Sequence, residues 1–262
     1  MIRRWLAPAL GVLGCLMAWP LAAAPLKFCF EDAPLAPWTL PDGSGLNIAL
    51  LHQVEKLTGE QFVFTARPWK RCLEELRTAQ VDGVIGTADG PERRSIGVFP
   101  MRADGSLRSD QALFQDSVNV FILADSKAAW NGLTLSNPRE FVITQRGYRV
   151  AEELRARGSK VLDNVRLAEE AFRAMLAGVA DVAVLQGLDA EQLVRHDPRF
   201  AARIVQARQP YVVYAFYLMV GKKTYEADPR RIDAIWNAIG NARKTPDYRR
   251  LEAAELAKLR RD

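Results

Sequence analysis

Residues 67–100 constrain the fold more than any other stretch of this chain. They read Arg67-Pro68-Trp69-Lys70-Arg71-Cys72-Leu73, then Val81-Asp82-Gly83-Val84-Ile85-Gly86, then Pro91-Glu92-Arg93-Arg94 and Val98-Phe99-Pro100. Pro68 bars helix just before itself, while Leu73 and Leu76 recur at helical spacing, so a helix runs from this corner to Gln80. Residues 81–85 form a short apolar strand. It opens into Gly86-Thr87-Ala88-Asp89-Gly90, which reads as a loop with little side-chain bulk. Small residues at the carboxyl end of a buried strand let a ligand approach backbone amides, and open α/β sheets bind ligands at that edge. The stretch reads as half of a small-molecule site.

A second unit repeats this logic. Residues 141–144 form a strand that runs into Gln145-Arg146-Gly147-Tyr148-Arg149, followed by a helix over 150–157 that Gly158 caps. A strand, a glycine turn and a helix amino terminus make an anion-receptive corner. After a helix over 169–176, the run Asp181-Val182-Ala183-Val184-Leu185-Gln186 echoes Asp82 to Thr87 as a strand. The remaining pattern gives strands over 26–30, 61–65 and 118–123, and a helix over 47–57 ended by Gly59. Residues 101–111 are polar and loop-like, and 201–205 and 210–220 are strand-like apolar runs. Asp228-Pro229 starts a helix through Asn241 by the N-cap and first-turn proline rule, and 247–259 is a last charged helix. Trp236 and Ile239, three apart on one helix face, belong to the core. His52 sits on the helix over 47–57 as a surface or half-buried residue rather than a ligand.

Residues 1–23 read as a secretory signal, with Arg3 and Arg4 ahead of an apolar run and Ala22-Ala23-Ala24 as the exit. Cleavage after Ala23 is preferred, because Pro25 directly after the cut would hinder processing. A membrane anchor is the alternative, opposed by Pro8, Pro20 and the lack of a stop-transfer flank. Val12-Leu13-Gly14-Cys15 also approximates a lipidation box, although the run beyond Cys15 is apolar where a tether is polar. The chain carries 36 Lys and Arg against 31 Asp and Glu, and losing Arg3 and Arg4 leaves it only mildly basic. No basic run interleaved with aromatics occurs, so nucleic acid is not implied. A mature chain of about 240 residues is long enough for one large domain or for two lobes with a core each.

In the order of their motifs, these residues resemble the periplasmic solute-binding proteins of amino-acid ABC transporters, extracellular solute-binding family 3. That family shows an aromatic residue before a helix, a strand beginning near Asp, a Ser/Thr-rich loop, an Arg after Glu, and a Phe-Ser or Phe-Pro a few residues later. The counterparts are Trp69, Asp82, Thr87, Glu92-Arg93 and Phe99-Pro100. The resemblance implies the α/β, type II periplasmic binding fold: two lobes, each a mixed sheet flanked by helices, joined by two crossings. The first lobe would take residues 24–115, the second 116–212, and a return segment with the last helices 213–262.

The resemblance also implies a ligand set. Arg93 would hold a ligand carboxylate with its planar fork, helped by Thr87 and nearby amides, with Arg94 as the alternative clamp. Trp69 would stack on the ligand, or else serve as ordinary core. Asp32 and Trp38 would line the cleft from the first loop, where Leu35 stands in place of the stacking Tyr common in amino-acid binders. Tyr148, with Arg149, and Gln186 would face the cleft from the second lobe. The position of the family's ammonium-binding aspartate falls on Gln186, with Asp189 three residues on; a neutral amide is a poor partner for an ammonium. Cys29 and Cys72, left after signal removal, would be neighbours on one lobe. Two cysteines in an oxidising compartment point to one bridge, against two buried free thiols.

The implied function is binding of a small polar solute by lobe closure, without cofactor or metal, by a monomer that delivers to an ABC permease or acts on a membrane sensor. An interaction module without transport role, or a dehydratase-like enzyme using Glu31, Asp32 or Asp89 as base, are the alternatives on the same fold. His52 and His196 are the only histidines, and no Gly-x-Ser-x-Gly elbow or Cys-x-x-Cys pair occurs.

Overall fold

The computed structural model describes residues 24–261, so the leader read over 1–23, with Cys15, lies outside the described residues. The first lobe is laid down by β1 (Leu26–Glu31), α1 (Leu46–Thr58), β2 (Phe62–Arg67), α2 (Trp69–Arg77), β3 (Gly83–Ala88), α3 (Pro91–Ile96) and β4 (Gly97–Val98). β5 (Phe114–Leu123) carries the chain into the second lobe. There β6 (Ala129–Trp130) and β7 (Leu135–Ser136) form a small hairpin. β8 (Val142–Gln145), α4 (Arg149–Ala156), β9 (Val161–Val165), α5 (Ala168–Leu176), β10 (Val182–Gln186), α6 (Leu188–His196) and β11 (Ile204–Gln206) complete it. β12 (Val212–Gly221) returns to the first lobe, which α7 (Lys222–Ala227), α8 (Pro229–Ala242) and α9 (Pro246–Arg261) finish.

The strands follow one path, β2-β1-β3-β12-β5-β10-β8-β9. β1 runs parallel to β2 and β3, and β10 and β9 run parallel to β8, as helical crossovers require. The two crossing strands break that pattern. The first half of β5 pairs antiparallel with the first half of β12, from Phe114 opposite Phe216 to Val118 opposite Val212. Beyond that ribbon, β5 joins β10 and β12 joins β3. The two lobe sheets are therefore joined edge to edge by the crossings.

Helices cover both faces of the first-lobe sheet. On one face, Leu50, Leu51 and Val54 of α1 and Ile235, Trp236 and Ile239 of α8 bury against Phe28, Phe30 and Leu218. Trp236 donates its indole N–H to the Leu218 carbonyl at 2.9 Å, so its polar end is satisfied within the core. On the other face, Cys72 and Leu76 of α2 pack on Cys29, Val84 and Met219. Cys29 and Cys72 are joined as a disulfide that ties β1 to α2, with Cα atoms 5.5 Å apart. The second lobe packs Phe121, Ile143, Phe172, Met175 and Phe200 into a separate core.

Local signals act as the sequence indicates at several ends. Gly59 closes α1 in the left-handed region, and the Asp228 side chain accepts from the Arg231 N–H ahead of Pro229. The expected loop at 86–88 is instead strand. Gly86 (φ 80°) is the extra residue of a bulge: Ile85 pairs with Leu218 and Thr87 with Tyr217, so β3 continues to Ala88. The structure also adds β9, α6, α7 and the β6–β7 hairpin, none of which the sequence pattern singles out.

Candidate ligand-binding cleft

The ends of β1 and β3 on one side, and the starts of α4 and α6 on the other, face each other across the β5–β12 ribbon. Between them lies a cavity of about 40 Å³. From the first lobe it is lined by Glu31, Leu35, Trp69, Gly86 and Arg93, from the second by Tyr148, Arg149 and Gln186, and from the ribbon by Val118, Tyr214 and Phe216.

Arg93 stands on α3 just inside the first turn and is only 6% exposed. Its Nη2 donates to the Gly147 carbonyl at 2.8 Å across the cleft, its one hydrogen bond among the described residues. The nearest carboxylates, Glu92 of its own helix and Glu152 of α4, stand 3.7 Å away. Burial lowers the guanidinium from its ordinary value, against the pull of Glu152 and Glu92. Burial also pushes Glu152 up to about 7, aided by the neighbouring Glu92 carboxyl. A buried cation whose fork is this sparsely engaged has capacity for an anion in the cavity. Arg94 is turned away and grips Asp89 with two nitrogens at 2.6 and 2.7 Å on the surface.

Glu31, at the end of β1, receives the Trp69 N–H at 2.9 Å and the Ala33 N–H at 3.1 Å, so it caps α2 from another strand. Burial raises its carboxyl, and Asp32 adds to that. Arg166, from the second lobe, donates to Glu31 at 3.0 Å and also to Asp32, spanning the cleft rim. Lys70 and Trp69 lie against Gly147, so the lobes meet here as well.

Trp69 reaches the cavity while packing in the same cluster as the disulfide. Tyr148 and Gln186 line the opposite wall. Gln186 is fixed by Gln145, whose side chain donates to the Gln186 carbonyl at 2.8 Å and accepts its N–H at 3.1 Å. Asp32 sits at the rim in the Arg166 pair. Two expected residues are not brought to the cavity. Trp38 stacks on Phe114 at 4.4 Å, and Phe114 on Phe216 at 4.7 Å, so it braces the ribbon from behind. Thr87 is fully buried on the other side of β3, its hydroxyl donating to the Val84 carbonyl at 3.4 Å. Strand alternation makes this necessary, because Gly86 and Ala88 take the cleft side.

Asp116 is the residue that sequence reasoning missed. It lies opposite Tyr214 in the ribbon and two residues before Val118, both of which line the cavity, so its side chain shares their face. Its carboxylate accepts from Gln186 Nε2 at 3.4 Å and from the Ser117 N–H at 2.9 Å. Burial pushes it up to about 7. The alternation of Phe114, Asp116 and Val118 with Gln115 and Ser117 was the available signal.

Among the described residues no helix is long and apolar enough to cross a membrane, and no group of three or more His, Cys, Asp or Glu side chains is placed to hold a metal. No protein-family model and no curated protein matches the chain by sequence. Solved structures do resemble it. A histidine kinase sensor domain with similarity to periplasmic binding proteins is 17% identical with a TM-score of 0.70, over 90% of this chain and 97% of that one. The GluR0 ligand-binding core from Nostoc punctiforme, in complex with L-glutamate, is 17% identical with a TM-score of 0.67, over 88% and 99%. The substrate-binding protein of an amino-acid ABC transporter is 14% identical with a TM-score of 0.64, over 88% and 99%. The chain has the two-lobed fold of type II periplasmic binding proteins.

Proposed function

We propose that this chain is a periplasmic binding protein that captures a small carboxylate-bearing solute, an amino acid or a close relative, by closing its lobes. The observation that carries the reading is Arg93, buried at the cavity with one backbone carbonyl as its hydrogen-bond partner. A solute held by Arg93 on one wall and by the Tyr148–Gln186 edge on the other favours the closed arrangement, because only there does it touch both. Glu31 is engaged by α2 and Arg166, which favours binding over turnover. The apolar leader read over 1–23 supports export to the periplasm.

An ABC permease is the partner this reading supplies. A membrane sensor is the second reading, favoured by the Arg166 bridge and the Arg93–Gly147 bond, which hold the lobes together through the protein's own side chains.

A thermal-shift panel of amino acids, other small carboxylates and polyamines tests the clamp on wild type, Arg93→Met and Arg94→Met. A carboxylate at about a hundred times its Kd stabilises wild type by about 2.7 kcal/mol. The same shift is expected in Arg94→Met and none in Arg93→Met. An equal shift in Arg93→Met would remove Arg93 from the site.

A further inference from the structure

The lobes meet a second time outside the cavity. A groove of about 520 Å³ runs between α2 and α3 of the first lobe and α4 of the second, and Glu92 of α3 and Glu152 of α4 both line it. Arg93 stands between them, with Nη1 3.7 Å from Glu92 Oε2 and Nη2 3.7 Å from Glu152 Oε1. The two carboxyl groups also lie within hydrogen-bond reach of each other. One comes from each lobe, so they meet only while the lobes are together. Two ionised carboxylates in such a place repel, whereas a carboxyl and a carboxylate share a proton. We propose that Glu92 and Glu152 form a proton-operated latch across the lobe boundary, which holds the lobes together while the pair carries a proton and lets them part when it is lost. The latch rests on the reading that the lobes open and close, and is independent of the solute they take.

The charges around the pair are otherwise engaged. From α2, Arg77 is held by Glu74 at 2.5 Å, and Lys70 lies with its chain along Gly147. On α4 itself, Arg149 is paired with Glu153 at 2.7 Å, and Arg155 with Asp163 of β9 at 2.9 Å. Tyr148 adds a phenol that burial keeps protonated. Among the described residues, Arg93 is therefore the one cation within 4.0 Å of the pair, and it is divided between two carboxylates and the Gly147 carbonyl. Arg93 and Arg149 favour an ionised Glu152, but burial and Glu92 outweigh them and push it up to about 7. Glu92 is 67% exposed and Glu152 30%, so the pair exchanges its proton with solvent without the lobes parting.

The direction of the switch follows. With the lobes parted, Glu152 loses Glu92 and gains water, and returns toward its ordinary 4.5. Closing therefore takes up a proton. The closed arrangement is favoured fully below about pH 4.5, and that advantage is lost as pH rises through 7. Acid tightens the cleft and base loosens it.

The test reads the open and closed populations of the ligand-free protein from the distance between spin labels at Lys56→Cys on α1 and Ala177→Cys at the end of α5. It is run at pH 5 and pH 8 in wild type and in Arg166→Ala, where the other bridge between the lobes is gone. The ratio of open to closed is expected to rise at least about tenfold from pH 5 to pH 8 in Arg166→Ala, and in the same direction in wild type. Glu152→Gln, neutral at both pH values, is expected to stay closed and flat in either background, and Glu92→Gln to flatten the response. Asp116 and Asp189 titrate in the same range, so Asp116→Asn and Asp189→Asn are the controls and are expected to keep the full response. Thermal melts show that each variant folds. If Glu152→Gln and Glu92→Gln respond as their parents do, or either control abolishes the response, the proton sits elsewhere and the latch is overturned. If Arg166→Ala opens equally at both pH values, the latch is overturned and lobe movement stands. If no variant opens at either pH, lobe movement falls and the latch falls with it.

Discussion

The first lobe meets the cleft with a buried arginine held on a short helix and with the Glu31 carboxylate, whereas the second lobe meets it with the Gln186 amide, the Tyr148 phenol and Arg149, a guanidinium already paired with Glu153. Their frameworks differ as well. The first lobe is stapled by Cys29–Cys72, whereas the second is unstapled, its sheet packed on one face by the core around Phe172 and on the other by Val150 and Leu154 of α4. A buried guanidinium needs a stiff wall, because each small displacement changes its solvation; a polar edge built from Gln145, Gln186 and Asp116 is fixed by its own hydrogen bonds instead.

The comparison is most strongly tested in the second lobe. Phe172 is fully buried between Phe121 and Phe200, and Phe172→Ala is expected to cost about 3 to 5 kcal/mol. Hydrogen exchange should show the loss concentrated in β8, β10 and α5, and uniform loss across both lobes would erase the distinction drawn here. Removing the staple comes next. The bridge closes residues separated by 43 positions, so the double variant Cys29→Ala/Cys72→Ala is expected to lose about 4 kcal/mol on the loop-entropy scale, read by urea unfolding. Exchange should then rise first in α2 and β1.

A pH series separates the walls further. Asp116 is pushed up to about 7 from its ordinary 3.8, so its protonation stabilises the fold fully below about pH 4, and that contribution is lost as pH rises through 7. Ligand-free wild type should therefore lose stability, on the order of 2 kcal/mol, between pH 5 and 8 relative to Asp116→Asn. Parallel melting curves for the two proteins over that range would deny Asp116 its buried setting. The smallest effect is expected at the rim, where Arg166 is partly exposed. Arg166→Ala should change stability by less than about 1 kcal/mol, yet small-angle scattering should show a larger radius without ligand as the lobes part.

Much of this was legible in the sequence because it is local. The Pro68-Trp69 corner, the Gly59 and Asp228 caps and the Asp82 and Asp181 strands announce themselves within a few residues, and their order carried the fold. Arg93 and Arg94 stay alternatives at the level of sequence; α3, which the pattern does not single out, turns Arg93 inward and leaves Arg94 on the surface. What the chain hides is set by distant partners. Gly86 to Ala88 have loop composition, but Tyr217 and Phe216 across the sheet make them strand. Trp38 looks like a cleft aromatic until Phe114 and Phe216 give it a stack to complete. Asp116 is set on the same face of the ribbon as the cavity-lining Tyr214 only by pairing with it, nearly a hundred positions later.

The discontinuity of the first lobe also orders events in time. Its sheet places β12 beside β3, although β12 is made long after β3 and after every strand of the second lobe. As the chain emerges, the second lobe can close on itself while the first stands open along the edge of β3, its Phe28–Phe30 face still without α8. Pairing across so long an interval is slow. The earlier lobe in the sequence is thus the later one to be finished, and the chain's newest segment is what seals its oldest.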